Sequence, residues 1–483
     1  MTWLIPMVLG PMAAGMLFSP GGRLFLVTGA ALVVFTPGQA ELGTKVAFIA
    51  LVFISSAVST LRLRNTDVRI SGGVRSAAAC YAVALVIAAF VGWTDDIQGT
   101  LQNGLPYLLL LLVLPIAIDA GLGSSWRFLE TGLIAVGLLA TLSFAFFWLD
   151  RRGISAIGIN QLLAYSLLMP ALLFQWGLVT AGATSRGGAV RLLALAVSFF
   201  VPIAFLITGA RTSLVFSAGL VSVTIMGLSK RRMLRTVTGV IAAIAVVIPL
   251  LALLAPILLN RPDFVTSRLA SLEKVFSYGA AADSSLQQRQ LATQAVLGQL
   301  DGHWFFGSGL STPNLLLNFD TPLSPVMRVG LIGACFLVLY VVMALRWAMN
   351  MAPRDAKGDY VRGIVIGWFL IVIAYGVLIP PVDDPLFAFA FAIGIALALN
   401  AYSADQKLLG RNFAATKTQH LHARAYRQSH RNSRNNFVHQ QSVSPTRLPP
   451  SSRVPNRAPR SAAPPRVTKT GELPESSDPV ARQ

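Results

Sequence analysis

Apolar runs of membrane-crossing length follow one another along most of this chain, and they restrict its fold more than any other feature. They lie near 3–18, 23–36, 45–61, 76–93, 104–119, 127–149, 160–181, 189–208, 212–228, 236–259, 326–349, 362–380 and 385–402. A helix needs about 20 apolar residues to cross the hydrocarbon core, and only helices or closed barrels satisfy every backbone group there. With 54% hydrophobic and 12% charged residues over 483 positions, the chain is far from the roughly 25% charge of soluble domains. A transmembrane barrel would show alternating segments of about ten residues, and none is found. The prediction is an all-α polytopic membrane protein with about 12–14 transmembrane helices, the first two segments being short. No internal repeat of the kind carried by inverted-repeat transporters is evident.

Sidedness follows from Lys and Arg in short loops, which collect in the cytoplasm. One alternate set of loops is basic, with Arg62, Arg64 and Arg75, then Arg186 and Arg191, then Lys230, Arg231, Arg232 and Arg235, then Arg346 through Arg362. The other set is neutral or acidic and holds Asp95-Asp96 and Asp383-Asp384. The segment 260–325 falls in this second set and is expected to be one large periplasmic loop late in the chain. Arg211 and the pair Arg151-Arg152 oppose the rule on this count. Two readings of Arg151 and Arg152 stay open: stray charges that the membrane tolerates, or cations that meet an anionic substrate at the outer surface.

The formal net charge of +19 is strongly localised. From Ser403 to Gln483 there are fourteen Lys and Arg against four Asp and Glu, so about half of the excess sits in one tail. Residues 404–483 are rich in Arg, Ser, Asn and Pro and too poor in apolar surface to build a core. They predict a basic, disordered cytoplasmic tail beside anionic membrane lipid. The tail lacks the aromatic stacking platform of single-strand binders, so nucleic acid is not expected as a partner. His420, His422, His430 and His439 have no metal-ligand spacing. Cys80 and Cys335 fall inside apolar runs and read as small buried hydrophobes without a disulfide framework. Neither metal nor cofactor is expected. The first basic residue is Arg23, so 3–18 reads as a retained span rather than a cleaved signal.

Four regions result: N-terminal transmembrane helices over 1–259, the large loop over 260–325, C-terminal transmembrane helices over 326–403, and the tail over 404–483. The loop region stays out of the bilayer for about sixty residues and brings with it Arg261, Arg268, Lys274, Arg289, His303 and Asp320, with Arg328 just beyond. Loops of that size in a compact protein are usually functional or disordered. Here the apolar spacing of Leu286, Leu291, Ala295, Val296 and Leu300 predicts a helix over 283–300 that carries Arg289.

Three motifs carry chemistry. In Thr208-Gly209-Ala210-Arg211-Thr212-Ser213, small residues permit a tight turn, and Arg211 at a helix start is suited to clamp phosphate. An interfacial arginine that snorkels is the plainer reading of that residue. The second motif, Trp304-Phe305-Phe306-Gly307-Ser308-Gly309, allows a backbone turn at the membrane surface. It lacks the βαβ context and third glycine of a dinucleotide site. The third runs from Asn318-Phe319-Asp320-Thr321 through Arg328-Val329-Gly330-Leu331-Ile332-Gly333. Asp320 is placed for proton transfer or for orienting a sugar hydroxyl, with helix capping as its structural alternative.

In this order the Gly-Ala-Arg-Thr-Ser span opening, the loop arginine, the aromatic-x-Gly-x-Gly turn and the Gly-Leu-Ile-Gly motif resemble the O-antigen ligase and Wzy-type polysaccharide polymerase superfamily. The likeness covers about 205–335 by motif and the rest by topology. It implies a metal-independent glycosyltransferase of the bacterial inner membrane that uses an undecaprenyl diphosphate-linked glycan at the periplasmic face. Its implied partners are that donor, membrane lipid, and a chain-length regulator or other polysaccharide assembly protein. By motif, Arg211 and Arg289 take the places of the family's arginines. Ligases of the family carry a His-Asn pair about eleven residues before Gly-Leu-Ile-Gly. Here that place is Phe319-Asp320, which favours a polymerase with Asp320 as the substitute. Arg151, Arg152, Arg268, His303, Gly307, Gly309 and Arg328 are the substrate-binding candidates. A ligase is the alternative within the fold. From other classes, a lipid-linked glycan flippase or transporter and a membrane scaffold remain; transport would require ionisable groups at mid-membrane, where almost none lie, and the clearest candidate, Asp119, is near a span end.

Overall fold

The computed structural model describes residues 15–34, 42–66, 70–93, 97–150, 168–183, 186–208, 277, 284–311, 323–352, 356–376 and 383–403. Among them the chain is helical and contains no strand. The elements are α1 Pro20–Val34, α2 Leu42–Leu63, α3 Gly72–Trp93, α4 Ile97–Gly123, α5 Trp126–Asp150, α6 Leu168–Gly182, α7 Gly188–Thr208, α8 Ser284–Leu300, α9 Ser324–Met351, α10 Ala356–Gly376 and α11 Pro385–Ser403. Six of these, α2 to α5, α9 and α11, are long and apolar enough to cross a membrane, so the chain is a multi-pass membrane protein. The apolar segments near 3–18, 212–228 and 236–259 lie largely or wholly outside the described residues. The chain divides into a compact unit from Met1 to Asn412 and a second from Phe413 to Gln483; the second lies outside the described residues.

Helix starts follow from short polar side chains. Ser71 Oγ accepts the Val74 amide and Ser125 Oγ accepts the Phe128 amide, each at 3.3 Å, opening α3 and α5. Asp384 does the same for α11, taking the Leu386 amide at 2.9 Å. Each cap satisfies a first-turn donor that the helix itself leaves open.

Two helices form the centre. In α11, 89% of the apolar window is buried, and in α4 72%, against 28% in α2. The central position of α11 rests on its many alanines. Ala388, Ala390, Ala392, Ala396 and Ala398 are all inaccessible or nearly so, and small side chains let neighbouring backbones come close. Pro106 and Pro115 interrupt the hydrogen-bond ladder of α4. Tyr81 and Tyr340 reach this stretch from α3 and α9, donating to the carbonyls of Tyr107 and Leu110 at 3.0 Å each. Their rings stack at 5.8 Å, so α3 and α9 are pinned to α4 as a pair.

One end of the bundle holds an ion pair out of solvent. Arg23, 1% exposed, donates to Asp119, to Ser59 Oγ at 3.2 Å and to the Leu17 carbonyl at 2.6 Å. Ser59 in turn donates to Asp119 at 3.1 Å, and Arg62 lies 3.9 Å from the other carboxylate oxygen. Asp119 therefore joins α1, α2 and α4, and each of its oxygens faces a cation. The cysteines depart from expectation: Cys80 and Cys335 are free and exposed. They occupy exposed faces of the membrane-length helices α3 and α9 rather than the protein core.

Candidate functional site

The opposite end of α4 is where the loop motifs dock. Twelve residues separate Tyr107 from Asp119, or about 18 Å along a helix. Here α9 is broken: Gly330 has φ 73° and ψ 169° inside an otherwise continuous helix. The break divides α9 into a short first piece and a long second one, whose first amides would be left without acceptors. The turn over 301–306 supplies them. Leu331 donates to the Trp304 carbonyl at 2.8 Å and Ile332 to the Phe305 carbonyl at 3.4 Å. A Cβ on Gly330 would collide with the Phe305 carbonyl, so the first glycine of Gly-Leu-Ile-Gly is required by backbone contact as well as by its dihedral angles.

The aromatic-x-Gly-x-Gly turn completes the docking. Gly307 and Gly309 have φ of 72° and 89°, values that residues with a Cβ rarely adopt. Between them Ser308 donates its amide to the Met327 carbonyl at 2.7 Å, and Leu310 donates to Ala88 of α3 at 3.2 Å. Preceding this turn, α8 packs Val296 and Leu300 against Met327. The helix that carries Arg289 is thus fixed at the same end of the molecule as Arg328.

Arg328 and Asp383 form the polar centre of this end. Arg328 Nη1 lies 3.5 Å from Asp383 Oδ1 and 3.5 Å from the Asn103 carbonyl. Tyr107 donates to Asp383 Oδ1 at 2.8 Å, and Ser324 donates to Oδ2 at 2.5 Å. Asn103 also donates to the Leu310 carbonyl at 2.9 Å, tying α4 to the turn. The two charged side chains are 12% and 19% exposed, enough to meet a solute from outside while remaining in a low-dielectric wall. Arg328 Nε is buried without a hydrogen-bond partner. A guanidinium oriented on one edge by a carboxylate can donate its remaining N–H groups to an anionic or hydroxyl oxygen without reorganising.

Gly307, Gly309 and Arg328 are therefore brought together. His303 lies on the exposed turn, its amide donating to Leu300 and its carbonyl accepting from Gly307, both at 2.8 Å. Arg289 lies on α8, the helix expected over 283–300 and present as Ser284–Leu300; its side chain is outside the described residues. So are Arg151, Arg152, Arg211, Arg268 and Asp320. Sequence reasoning did not single out Asp383, Tyr107, Asn103 or Ser324. Asp383-Asp384 was legible only as an acidic outer loop, and the two carboxylates prove different, one capping α11 and one holding Arg328. Among the described residues no group of three or more His, Cys, Asp and Glu is placed to hold a metal ion.

Comparison with models of known protein families and with curated proteins finds no match.

Proposed function

We propose that this protein is a glycosyltransferase of the bacterial inner membrane that polymerises undecaprenyl diphosphate-linked repeat units into a surface polysaccharide or exopolysaccharide at the periplasmic face. On this reading about 12–14 helices cross the membrane and 260–325 is the large periplasmic loop. The observation that supports it is the docking of the aromatic-x-Gly-x-Gly turn onto the broken α9 beside the Arg328–Asp383 pair. That contact gives two motifs of the polymerase and ligase resemblance a shared structural purpose.

The chemistry asks for cations more than for a strong base. The acceptor hydroxyl oxygen attacks the anomeric carbon as the bond from that carbon to the diphosphate oxygen breaks. The bonding pair leaves on the diphosphate, where Arg211 and Arg289 stabilise it. Asp320 takes the acceptor proton. Arg328, anchored by Asp383, orients a phosphate or sugar oxygen, and Arg151, Arg152, Arg268 and His303 contribute to binding around it.

The test is polymer formation in cells lacking the native gene. Arg211→Ala and Arg289→Ala are expected to abolish detectable polymer at normal membrane expression, with single repeat units accumulating on the lipid carrier. Arg268→Ala, outside the matched motifs, is expected to be milder. Full polymer from both of the first two variants would contradict the proposal and favour a scaffold.

A further inference from the structure

The break in α9 replaces hydrogen bonds that the helix could make within itself. In a continuous α-helix the Leu331 amide donates to the Met327 carbonyl and the Ile332 amide to the Arg328 carbonyl, four residues back. Here both amides go to the turn instead, to the carbonyls of Trp304 at 2.8 Å and Phe305 at 3.4 Å. The Met327 carbonyl is taken by the same turn: it accepts the Ser308 amide at 2.7 Å and Ser308 Oγ at 3.1 Å. The turn thus stands between Leu331 and Met327, giving an acceptor to one and a donor to the other. If it withdrew, the two could pair with each other, so neither amide of α9 is stranded in either arrangement.

The docked turn buries little apolar surface. Trp304, Phe305 and Phe306 are 41%, 64% and 57% exposed, so little hydrophobic stabilisation is lost when they move away. The two ends of the segment are anchored, one by Leu300 packed against Met327, the other by Leu310, whose amide donates to Ala88 and whose carbonyl accepts from Asn103. Between those anchors the contact is backbone against backbone. Gly307 fits against the Gly330 amide and the Met327 carbonyl, where a Cβ would collide with both. Two arrangements that pair the same α9 amides and differ little in burial make a two-state element.

The second arrangement changes the site. The short piece of α9, from Ser324 to Val329, carries both Ser324 and Arg328, which hold the two carboxylate oxygens of Asp383. Gly330 has φ 73° and ψ 169°, and helical values lie more than about 100° away in each angle. Closing the helix therefore swings the short piece relative to the long one. Val296 and Leu300 pack on Met327, so α8 swings with it. We propose that α9 is a conformational switch. With the turn docked, the helix is broken and Arg328 stands on Asp383; with the turn released, the helix is continuous and Arg328 is withdrawn. The consequence for polymer formation rests on the function proposed above, whereas the exchange of hydrogen bonds does not.

The experiment uses the full chain purified in a neutral detergent, with amide hydrogen exchange read residue by residue. In the native chain Ser308 is expected to exchange at least about tenfold faster than Leu331, each relative to its unstructured rate, because release of the turn frees Ser308 and returns Leu331 to Met327. Gly307→Ala obstructs docking without altering α9. It is expected to expose the Ser308 amide and leave that of Leu331 protected, whereas a fixed joint would lose both together. Spin labels at Leu101→Cys on α4 and Gln294→Cys on α8, both exposed positions, report the swing once Cys80 and Cys335 are replaced by alanine. Gly307→Ala is expected to shift their distance distribution; Gly298→Ala, where a Cβ meets nothing, is not. Equal protection of Ser308 and Leu331 in the native chain, or loss of both in Gly307→Ala, would overturn the switch, as would an unchanged label distance in that variant. Polymer yield is a separate reading, expected to fall with Gly307→Ala at normal membrane expression. Full polymer beside the expected exchange and distance changes would overturn the coupling of the switch to Arg328. A native chain that makes no polymer bears on the proposed function alone, since exchange and distance are read without substrate.

Discussion

Leu331 donates its amide to the Trp304 carbonyl at 2.8 Å, so a break inside a membrane-length helix is closed by a turn from a separate segment. The joint depends on Gly330, whose dihedral angles are close to forbidden for any residue with a Cβ. Gly330→Ala is therefore expected to destabilise the protein by about 1–3 kcal/mol from backbone strain, with the collision against Phe305 in addition. Thermal unfolding of purified variants would show it. Gly298→Ala is the control: a Cβ there meets nothing, and the residue lies within α8. That exchange is expected to be neutral or stabilising by up to about 1 kcal/mol.

Asp383 is expected to matter through Arg328. Removing the carboxylate leaves a largely buried guanidinium unpaired, a change that typically costs about 3–5 kcal/mol; partial exposure places this site at the lower end. Tyr107→Phe deletes one hydrogen bond to the carboxylate and is expected to cost about 1.5–3 kcal/mol. Arg328→Lys keeps charge but loses the forked geometry. A double-mutant cycle over Arg328→Ala and Asp383→Ala, read by unfolding and by polymer yield, checks the pairing. Additive effects would show that the two side chains act separately.

The helices were largely legible because membrane-length apolar runs and the 3.6-residue period both act locally. The expected 76–93 run became α3, and the weakly apolar 283–300 stretch became α8. The polar centres were not legible, because their partners are distant in sequence. Tyr107 and Asp383 meet across 276 residues, and nothing near either position announces the other. Arg23 appeared only as the first basic residue and Asp119 only as an acid near a span end, yet they form one buried pair. Gly330 was marked by resemblance alone. Its physical reason, a helix break capped by Trp304 and Phe305, exists only once the turn is docked. The cysteines show the converse limit: an apolar run identifies a membrane helix but not which of its faces meets protein.

Transport chemistry would call on Asp119 as a mobile charge carrier, whereas here it is bound to Arg23 and Ser59. Asp119→Ala is expected to leave Arg23 buried and uncompensated, at about 3–5 kcal/mol, and to reduce the folded, membrane-inserted yield. The paired change Arg23→Leu with Asp119→Leu, which removes both charges, is expected to recover most of that loss. Fluorescence-detected size exclusion of the tagged variants would measure it. A folded, monodisperse Asp119→Ala protein would show that the pair is dispensable for assembly.

The two ends of α4 also make sidedness testable. Arg23, Arg62, Arg186 and Lys357 mark the Asp119–Glu130 end, while Asp383 and the glycine turn mark the other. Under the positive-inside bias the first is cytoplasmic and the second periplasmic. Because Cys80 and Cys335 are free and exposed, both must first be replaced by alanine. Single cysteines at Ser308 and Gln440 would then be probed with a membrane-impermeant maleimide on intact spheroplasts. Ser308→Cys is expected to label from outside, and Gln440→Cys only after the membrane is opened. The reverse pattern would invert the protein, move Arg328 and Asp383 to the cytoplasmic face, and remove the periplasmic glycan donor from reach of the proposed site.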